Sequence, residues 1–316
     1  MAREIAFIAA LRAFADDPAA RGLMDDAAVL PRPGGDLVLT HDMLVEGVHY
    51  LSGDAPADVA WKLVSVNLSD LTAKGAVPLG VLLGYAMTED AAWDSAFAEG
   101  IGAAASALGV KLLGGDTVRM PTGAPRALGL TAIGQAPPSG APSRAGAKAG
   151  DRLWVSGTVG DAGRGLAIRL GRAQGDAALV DRYLRPQPRL ALGQALAPLV
   201  TAMADVSDGL LIDARRIAHA SGCAIAIDLG AVPLSGPYVA ASGADGAARI
   251  TAATSGDDYE LLFTAPAAMD GPVLAAAGAA NVPVVPVGLC TAGEDITLTL
   301  AGEAVDLPAH LGWLHE

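Results

Sequence analysis

Apolar positions along this chain follow two rhythms, and polar residues interrupt both at similar places. From Asp58 to Gly75 the apolar residues Leu63, Val66 and Leu71 fall on one helical face, and Gly75 is a fitting C-terminal stop. Asn67 and Asp70 lie one turn apart inside that helix and so share a side of it. A carboxylate in an otherwise apolar helix is costly to bury without water, a cation or a donor. A helix with a polar outer face is the plain alternative. The same pattern predicts a first helix with Ile5, Ile8 and Leu11 inward, and an alanine-rich one from Trp93 to Leu108 closed by Gly109.

Shorter apolar runs read as strands. Asp36–Thr40 ends in His41-Asp42 and could pair with a strand after Asp25-Asp26, as a hairpin around 31–35. Further strands are expected over 80–87, 110–113 and 128–135, the middle one ending in Gly114-Gly115-Asp116-Thr117, where a tight turn would equally explain the glycines. From Ala136 to Gly150 the composition shifts to Pro, Gly, Ser and Ala, with Arg144 and Lys148 as the only charges, which marks a domain boundary. This divides the chain into 1–137, a linker at 138–150, and 151–316. The second part alternates strands with helices, which suggests an α/β arrangement. A helix is expected around 188–199 and another running to Ser221 with Gly222 as its stop. The glycine-rich turn Gly157–Gly165 could hold phosphate at a helix N-terminus, although it matches neither common nucleotide fingerprint.

Composition narrows the picture. The chain has 316 residues, 52% hydrophobic and 17% charged, which describes a folded protein large enough for two cores. A net charge of −13 argues against nucleic-acid or anionic-membrane partners but permits phosphate ligands if metal ions supply positive charge. Cys223 and Cys290 form no disulfide framework and no metal-type spacing. The N-terminal apolar run is broken by Glu4, Arg12 and Asp16, and the uncharged stretch 271–293 contains Pro272, Pro283 and Pro286. Neither reads as a signal peptide or a membrane span, so a soluble, cytoplasmic protein is expected.

The candidate chemistry is acidic. Asp25-Asp26, Asp42, Asp116 and the pair Asp205/Asp208 recur near strand ends, alongside Asp70 on its helix. In Asp205-Val206-Ser207-Asp208-Gly209, three acceptors exceed what one helix cap needs, and two carboxylates around a hydroxyl are the hard oxygen donors Mg²⁺ prefers. Convergence of these loops would be strongly repulsive unless cations lay among them. No Ser-His-Asp or Cys-His arrangement for a protein nucleophile is visible.

Taken in order, Asp25-Asp26-Ala27, Thr40-His41-Asp42 through Gly47-Val48-His49, Asn67-Leu68-Ser69-Asp70-Leu71, Gly114-Gly115-Asp116-Thr117, Asp205-Val206-Ser207-Asp208-Gly209-Leu210 and Ser255-Gly256-Asp257-Asp258-Tyr259-Glu260-Leu261 resemble the thiamine-monophosphate kinases. The Arg144–Asp151 segment is also in place, and the resemblance runs from about residue 3 to 316. It implies membership of the aminoimidazole-ribonucleotide synthetase superfamily, with γ-phosphoryl transfer from ATP to thiamine monophosphate. The implied fold is α/β (α+β) with two domains: an N-terminal mixed sheet that pairs into a barrel across a homodimer, and a C-terminal α/β sandwich. The resemblance implies several Mg²⁺ ions at Asp26, Thr40, Asp42, Asp70, Asp116, Asp205 and Asp208. It puts Gly115, Asp116, Arg144 and Ser207 near ATP, and His49, Asp257 and Trp313 near the thiamine substrate. Three departures stand out: Met24 where the family usually has Gly, His41 where it usually has Thr, and Asp257 where Glu is common. Rival readings are an ATP-dependent ligase of the same superfamily, a catalytically silent sensor of nucleotide or thiamine phosphate, and a metal-dependent phosphatase. Selenophosphate synthetase would want a reactive Cys near the N-terminus, and none precedes Cys223.

Overall fold

The computed structural model describes Arg12 and residues 17–314. The expected first helix, with Ile5, Ile8 and Leu11, lies outside these. A short 3-10 turn at Pro18–Leu23 leads into two β-sheets, each with helices packed against it.

The first sheet contains β1 (Ala28–Leu30), β2 (Leu37–Val45), β3 (Val77–Met87), β4 (Leu112–Arg119) and β5 (Ala127–Gln135), in the order β1-β2-β5-β3-β4. All pairings are antiparallel except β3 with β4. The hairpin expected around 31–35 is present, with Ala28 opposite Leu39 and positive φ at Gly34 and Gly35 where the chain reverses. Helix α1 (Pro56–Ala73) lies across one face of the sheet, with α2 (Ala91–Ala107) beside it. Leu63, Val64, Leu68 and Leu71 of α1 are fully buried against Val38, Leu128 and Leu130 of the sheet. This apolar contact holds α1 in place and therefore fixes where Asn67 and Asp70 point.

The second sheet contains β6 (Asp151–Ser156), β7 (Ala202–Asp205), β8 (Ala224–Asp228), β9 (Leu261–Pro266), β10 (Val284–Thr291), β11 (Asp295–Leu300) and β12 (Glu303–Val305), in the order β12-β11-β8-β10-β6-β9-β7. Only β8 and β11 run parallel. The helices here are α3 (Asp161–Arg169), α4 (Ala177–Leu184), α5 (Leu190–Leu196), α6 (Leu210–Ser221), α7 (Gly236–Ser242), α8 (Gly246–Ala253) and α9 (Asp270–Ala280). Leu211, Ala214 and Ile217 of α6 pack in one apolar cluster with the sheet. A separate cluster unites α5 and α9 with Trp154, Met203 and Phe263, and takes in Ala73 at the end of α1. The rings of Trp154 and Phe263 stack there at 6.3 Å. That shared cluster joins α1 of the first sheet to the second. Alternating strands and helices thus build mainly antiparallel sheets with helical layers, the α+β form of the expected class.

Several local expectations change. The strand expected to end at His41-Asp42 continues to Val45, because Asp42 and Met43 pair with Leu130 and Gly129 of β5. Gly114-Gly115-Asp116 is no turn: it lies inside β4, and neither glycine has positive φ. A Cβ at Gly115 would strike the backbone of Leu83 on β3, so close strand approach explains that glycine. The helix expected at 188–199 is shorter, Leu190–Leu196. Neither Ser207 nor Asp208 caps α6, whose N-cap is Gly209 with no side-chain bond. The capping explanation for that acidic run therefore falls away. The glycine turn before α3 does not offer a free phosphate cradle, because the buried Asp258 accepts from the amides of Gly160 (2.6 Å) and Ala162 (3.2 Å). Among the described residues no helix is long and apolar enough to cross a membrane.

Candidate active site

α1 lies between the two sheets and carries the middle of the site. Asp70, on its last full turn, faces Asp26 from the loop before β1 and Asp205 at the end of β7. Carboxylate oxygens of these three residues all lie within 4.8 Å of one another. Thr40 of β2 donates a short hydrogen bond to Asp70 Oδ2 and lies 3.3 Å from the Asp26 carbonyl. Ser69, next along the helix, donates to Asp205 Oδ2 at 2.5 Å. Asn67 turns its amide oxygen to the backbone N–H of Asp42 at 2.9 Å, locking α1 against β2. One helix thus orients acids from three separated stretches of chain.

The electrostatics are those of a site with surplus negative charge. Burial, reinforced by Asp42, Asp205 and Asp26, pushes the Asp70 carboxyl well above its usual range. Burial and the charge of Asp26 raise Asp205 to about 8. Burial, Asp208 and Asp26 raise Asp42 to about 6. Protein cations reach only part of the cluster. Lys74 pairs with Asp26 Oδ2 at 2.6 Å and Asp25 Oδ1 at 2.5 Å, while the Arg144 guanidinium closes on Asp26 Oδ1. Both Asp26 oxygens have these ion-pair neighbours, yet neither accepts a well-aligned hydrogen bond. Beside the cluster, Arg216 bridges Asp208 and Asp213 at 2.6 Å each. Three clustered carboxylates with hard oxygens, two of them protonated too readily for want of counter-charge, suit Mg²⁺.

The expected substrate residues lie along one edge of this cluster. Backbone bonds tie the loops together: Asp257 N–H to the Ser207 carbonyl, and Trp313 N–H to the Asp208 carbonyl, both 2.8 Å. Lys62 of α1, buried, reaches Asp257 Oδ2 at 2.7 Å and the His49 carbonyl at 3.2 Å, and lies 4.0 Å from the centre of the Tyr183 ring. His49 Nδ1 accepts from the Val45 amide, which orients its ring. Trp313 is 53% exposed, a large apolar surface at the rim of the acidic region. The structure therefore brings together Asp26, Thr40, Asp42, Asp70, Arg144, Asp205, Ser207 and Asp208, with His49, Asp257 and Trp313 alongside. Gly115 and Asp116 are not with them. They sit on β4, three strands from Asp42, roughly 14 Å at ordinary strand spacing.

Of the three departures, Met24 has an ordinary φ of −115° and is exposed, so it costs the turn nothing. His41 points away from the cluster and pairs with Thr131 at 2.9 Å. The shorter Asp257 is held by Lys62. Residues to which sequence reading gave no role in the site are Asp25, marked only as part of an acidic pair, and Lys62, Ser69, Lys74, Asp213 and Arg216. Asp25 and Ser69 adjoin residues that were marked; the others carry no local signal.

Comparison with known proteins fits this geometry. Residues 24–136 match the model of the AIR synthase related protein N-terminal domain, and 148–301 that of its C-terminal domain. The chain is 43% identical to the thiamine-monophosphate kinase of Caulobacter vibrioides over 95% of its length and 86% of the relative's. It is 40% identical to that of Salmonella typhimurium, covering 86% of this chain and 84% of the other. Among solved structures, AaThiL complexed with AMPPCP and TMP superposes with a TM-score of 0.85 at 28% identity, over 98% of this chain and 97% of that one. With two matching domains and close relatives along nearly its whole length, the chain belongs to the thiamine-monophosphate kinase family.

Proposed function

We infer that this protein transfers the γ-phosphoryl group of ATP to thiamine monophosphate, giving thiamine diphosphate and ADP in the cytoplasm. The observation that carries the reading is the buried Asp26–Asp70–Asp205 cluster, short of positive charge and bordered by Arg144, Asp257 and Trp313. Mg²⁺ bound there supplies charge neutralisation for the phosphates of both substrates. The remaining work is positioning by this chain's own residues. Asp26, Asp70 and Asp205, with Asp42, Asp208 and the Thr40 hydroxyl, are the oxygen donors that would hold Mg²⁺. Arg144, at the mouth of the cluster, exchanges Asp26 Oδ1 for a nucleotide phosphate, a planar donor exchanging one oxyanion for another. Ser207 adds a hydroxyl beside it. The ring of Trp313 stacks on the substrate pyrimidine or faces the cationic thiazolium, while His49 and Asp257 fix its other edge. With no protein nucleophile, attack by the acceptor phosphate oxygen is direct and in line.

The reading includes a homodimer. Every residue of β4 is exposed, and Met43, Val77, Leu79, Leu112, Leu113 and Val118 leave a broad apolar surface on the first sheet. Exposed apolar side chains gathered on one sheet mark a protein–protein contact, and a second copy would cover them. Gly115 and Asp116, distant from this chain's own cluster, would then serve a nucleotide at the subunit boundary. Leu113→Asp is expected to convert a dimer to a monomer in light-scattering chromatography; a wild-type monomer would contradict this part.

The test of the function is incubation with Mg·ATP and thiamine monophosphate and chromatography of the products. Thiamine diphosphate that requires Mg²⁺ supports the reading. ATP binding without that product overturns it in favour of a sensor.

A further inference from the structure

Lys74 follows the last residue of α1 as its C-cap. A lysine there usually extends into solvent, where its charge favours the helix carboxyl end. This one is fully buried. Its ammonium donates to Asp25 Oδ1 at 2.5 Å and to the Met203 carbonyl at 3.3 Å, and it forms an ion pair with Asp26 Oδ2 at 2.6 Å. Asp25, itself paired with Arg21 at 2.6 Å, would be counter-charge enough for a buried ammonium. The second carboxylate needs another explanation.

The two oxygens of Asp26 have unlike partners. Oδ2 faces Lys74, and both side chains are 0% exposed, so neither has room to withdraw. Oδ1 faces Arg144, whose side chain is 16% exposed at the mouth of the cluster. A cation entering among Asp26, Asp70 and Asp205 can take Oδ1 from Arg144, but it cannot take Oδ2 from Lys74.

We propose that Lys74 is a positioning residue for the cation site: it holds Asp26 Oδ2 permanently, so that Asp26 offers a divalent ion Oδ1 alone. This rests on the reading of the three-carboxylate cluster as a cation site. Without Lys74, Asp26 can grip an ion with both oxygens, and the site carries one more negative charge. A divalent ion is then held more tightly and in the wrong place, and turnover falls although the ligands are intact.

The test is titration of the whole protein with Mn²⁺ alone, following the free-ion EPR signal, for wild type, Lys74→Met and Lys74→Gln. Both variants are expected to bind Mn²⁺ more tightly than wild type, by about 10–100-fold, the scale on which groups behind a metal ligand act. Their kcat is expected to fall while KM for thiamine monophosphate stays put. Lys74→Gln keeps two N–H donors, without the charge, for the buried carboxylates and serves if Lys74→Met does not fold. A purely structural lysine would lower the Tm equally with and without Mn²⁺ and leave Mn²⁺ affinity unchanged. Unchanged or weaker affinity in the folded variants, beside a wild type that binds, overturns the role of Lys74 alone. A wild type with no Mn²⁺ site sensitive to Asp70→Asn overturns the cation reading beneath it as well.

Discussion

Two groups of buried carboxylates in this protein are solved in opposite ways. Glu260, fully buried between β9 and the α4–α5 region, accepts from Arg189 at 2.5 and 2.8 Å, from Arg182 at 2.7 Å and from the Ser156 hydroxyl at 2.6 Å. Burial alone would raise it, but these two guanidinium groups hold it below the usual carboxylate range. Asp205 is buried too and Asp70 only partly exposed, yet each has one hydroxyl donor and no cation of its own. Their carboxyls are pushed upward instead. One acid with two cations is a structural joint. Three acids sharing the edges of two cations are a site prepared for charge that the protein does not itself provide.

The contrast is sharpest in what neutral isosteres do. Asp205→Asn is expected to cost about 10²–10³ in turnover, the scale for losing one preorganised electrostatic contact with the transferring group, with no loss of folding stability. Product chromatography and a melting curve check both halves. Glu260→Gln should do the reverse, destabilising by about 2–3 kcal/mol in denaturant titration because it leaves the half-buried Arg182 and Arg189 without their counter-charge.

The two groups also respond to pH in opposite directions. With Asp205 raised to about 8 when folded against 3.8 unfolded, the folded state keeps a proton that the unfolded chain has released between those values. In chelator, stability therefore falls as pH rises through that window, and saturating Mg²⁺ should flatten the slope. Glu260 has a depressed folded pKa, so its contribution is present above the unfolded value and is lost as acid takes the pH down through the folded one. Melting temperatures from about pH 2 to 8, with and without Mg²⁺, separate the two, since the Glu260 loss falls below the unfolded value of 4.5. The smallest effect is expected at Ser69→Ala, about 1 kcal/mol for one hydrogen bond to Asp205.

Much of the acidic site was legible because its members sit in short, recognisable runs. Asp26, Asp42, Asp70 and Asp205 could be marked, and the helix carrying Asp70 could be drawn almost to its ends. What could not be read was how the site is balanced. Lys74 looks in sequence like any basic residue near a helix terminus, and its burial follows only from the second sheet's apolar cluster closing over the end of α1. Glu260 and Arg189 are 71 residues apart, a pairing no local pattern encodes. Gly114-Gly115 was open to reading as a turn because glycine serves both turns and close strand contacts; only the crossing of Leu83 decides between them. The side chains that the fold shares among distant segments are the ones periodicity could not supply.

The most direct test of the contrast is the Tm of Asp70→Asn against wild type, in chelator at pH 8. The expected result is a Tm equal to or above that of wild type, because the substitution removes a charge that the metal-free fold cannot balance, together with loss of thiamine diphosphate formation when Mg²⁺ is restored. A Tm that falls as far as in Glu260→Gln, with turnover retained, would make Asp70 a structural joint like Glu260 and contradict the account.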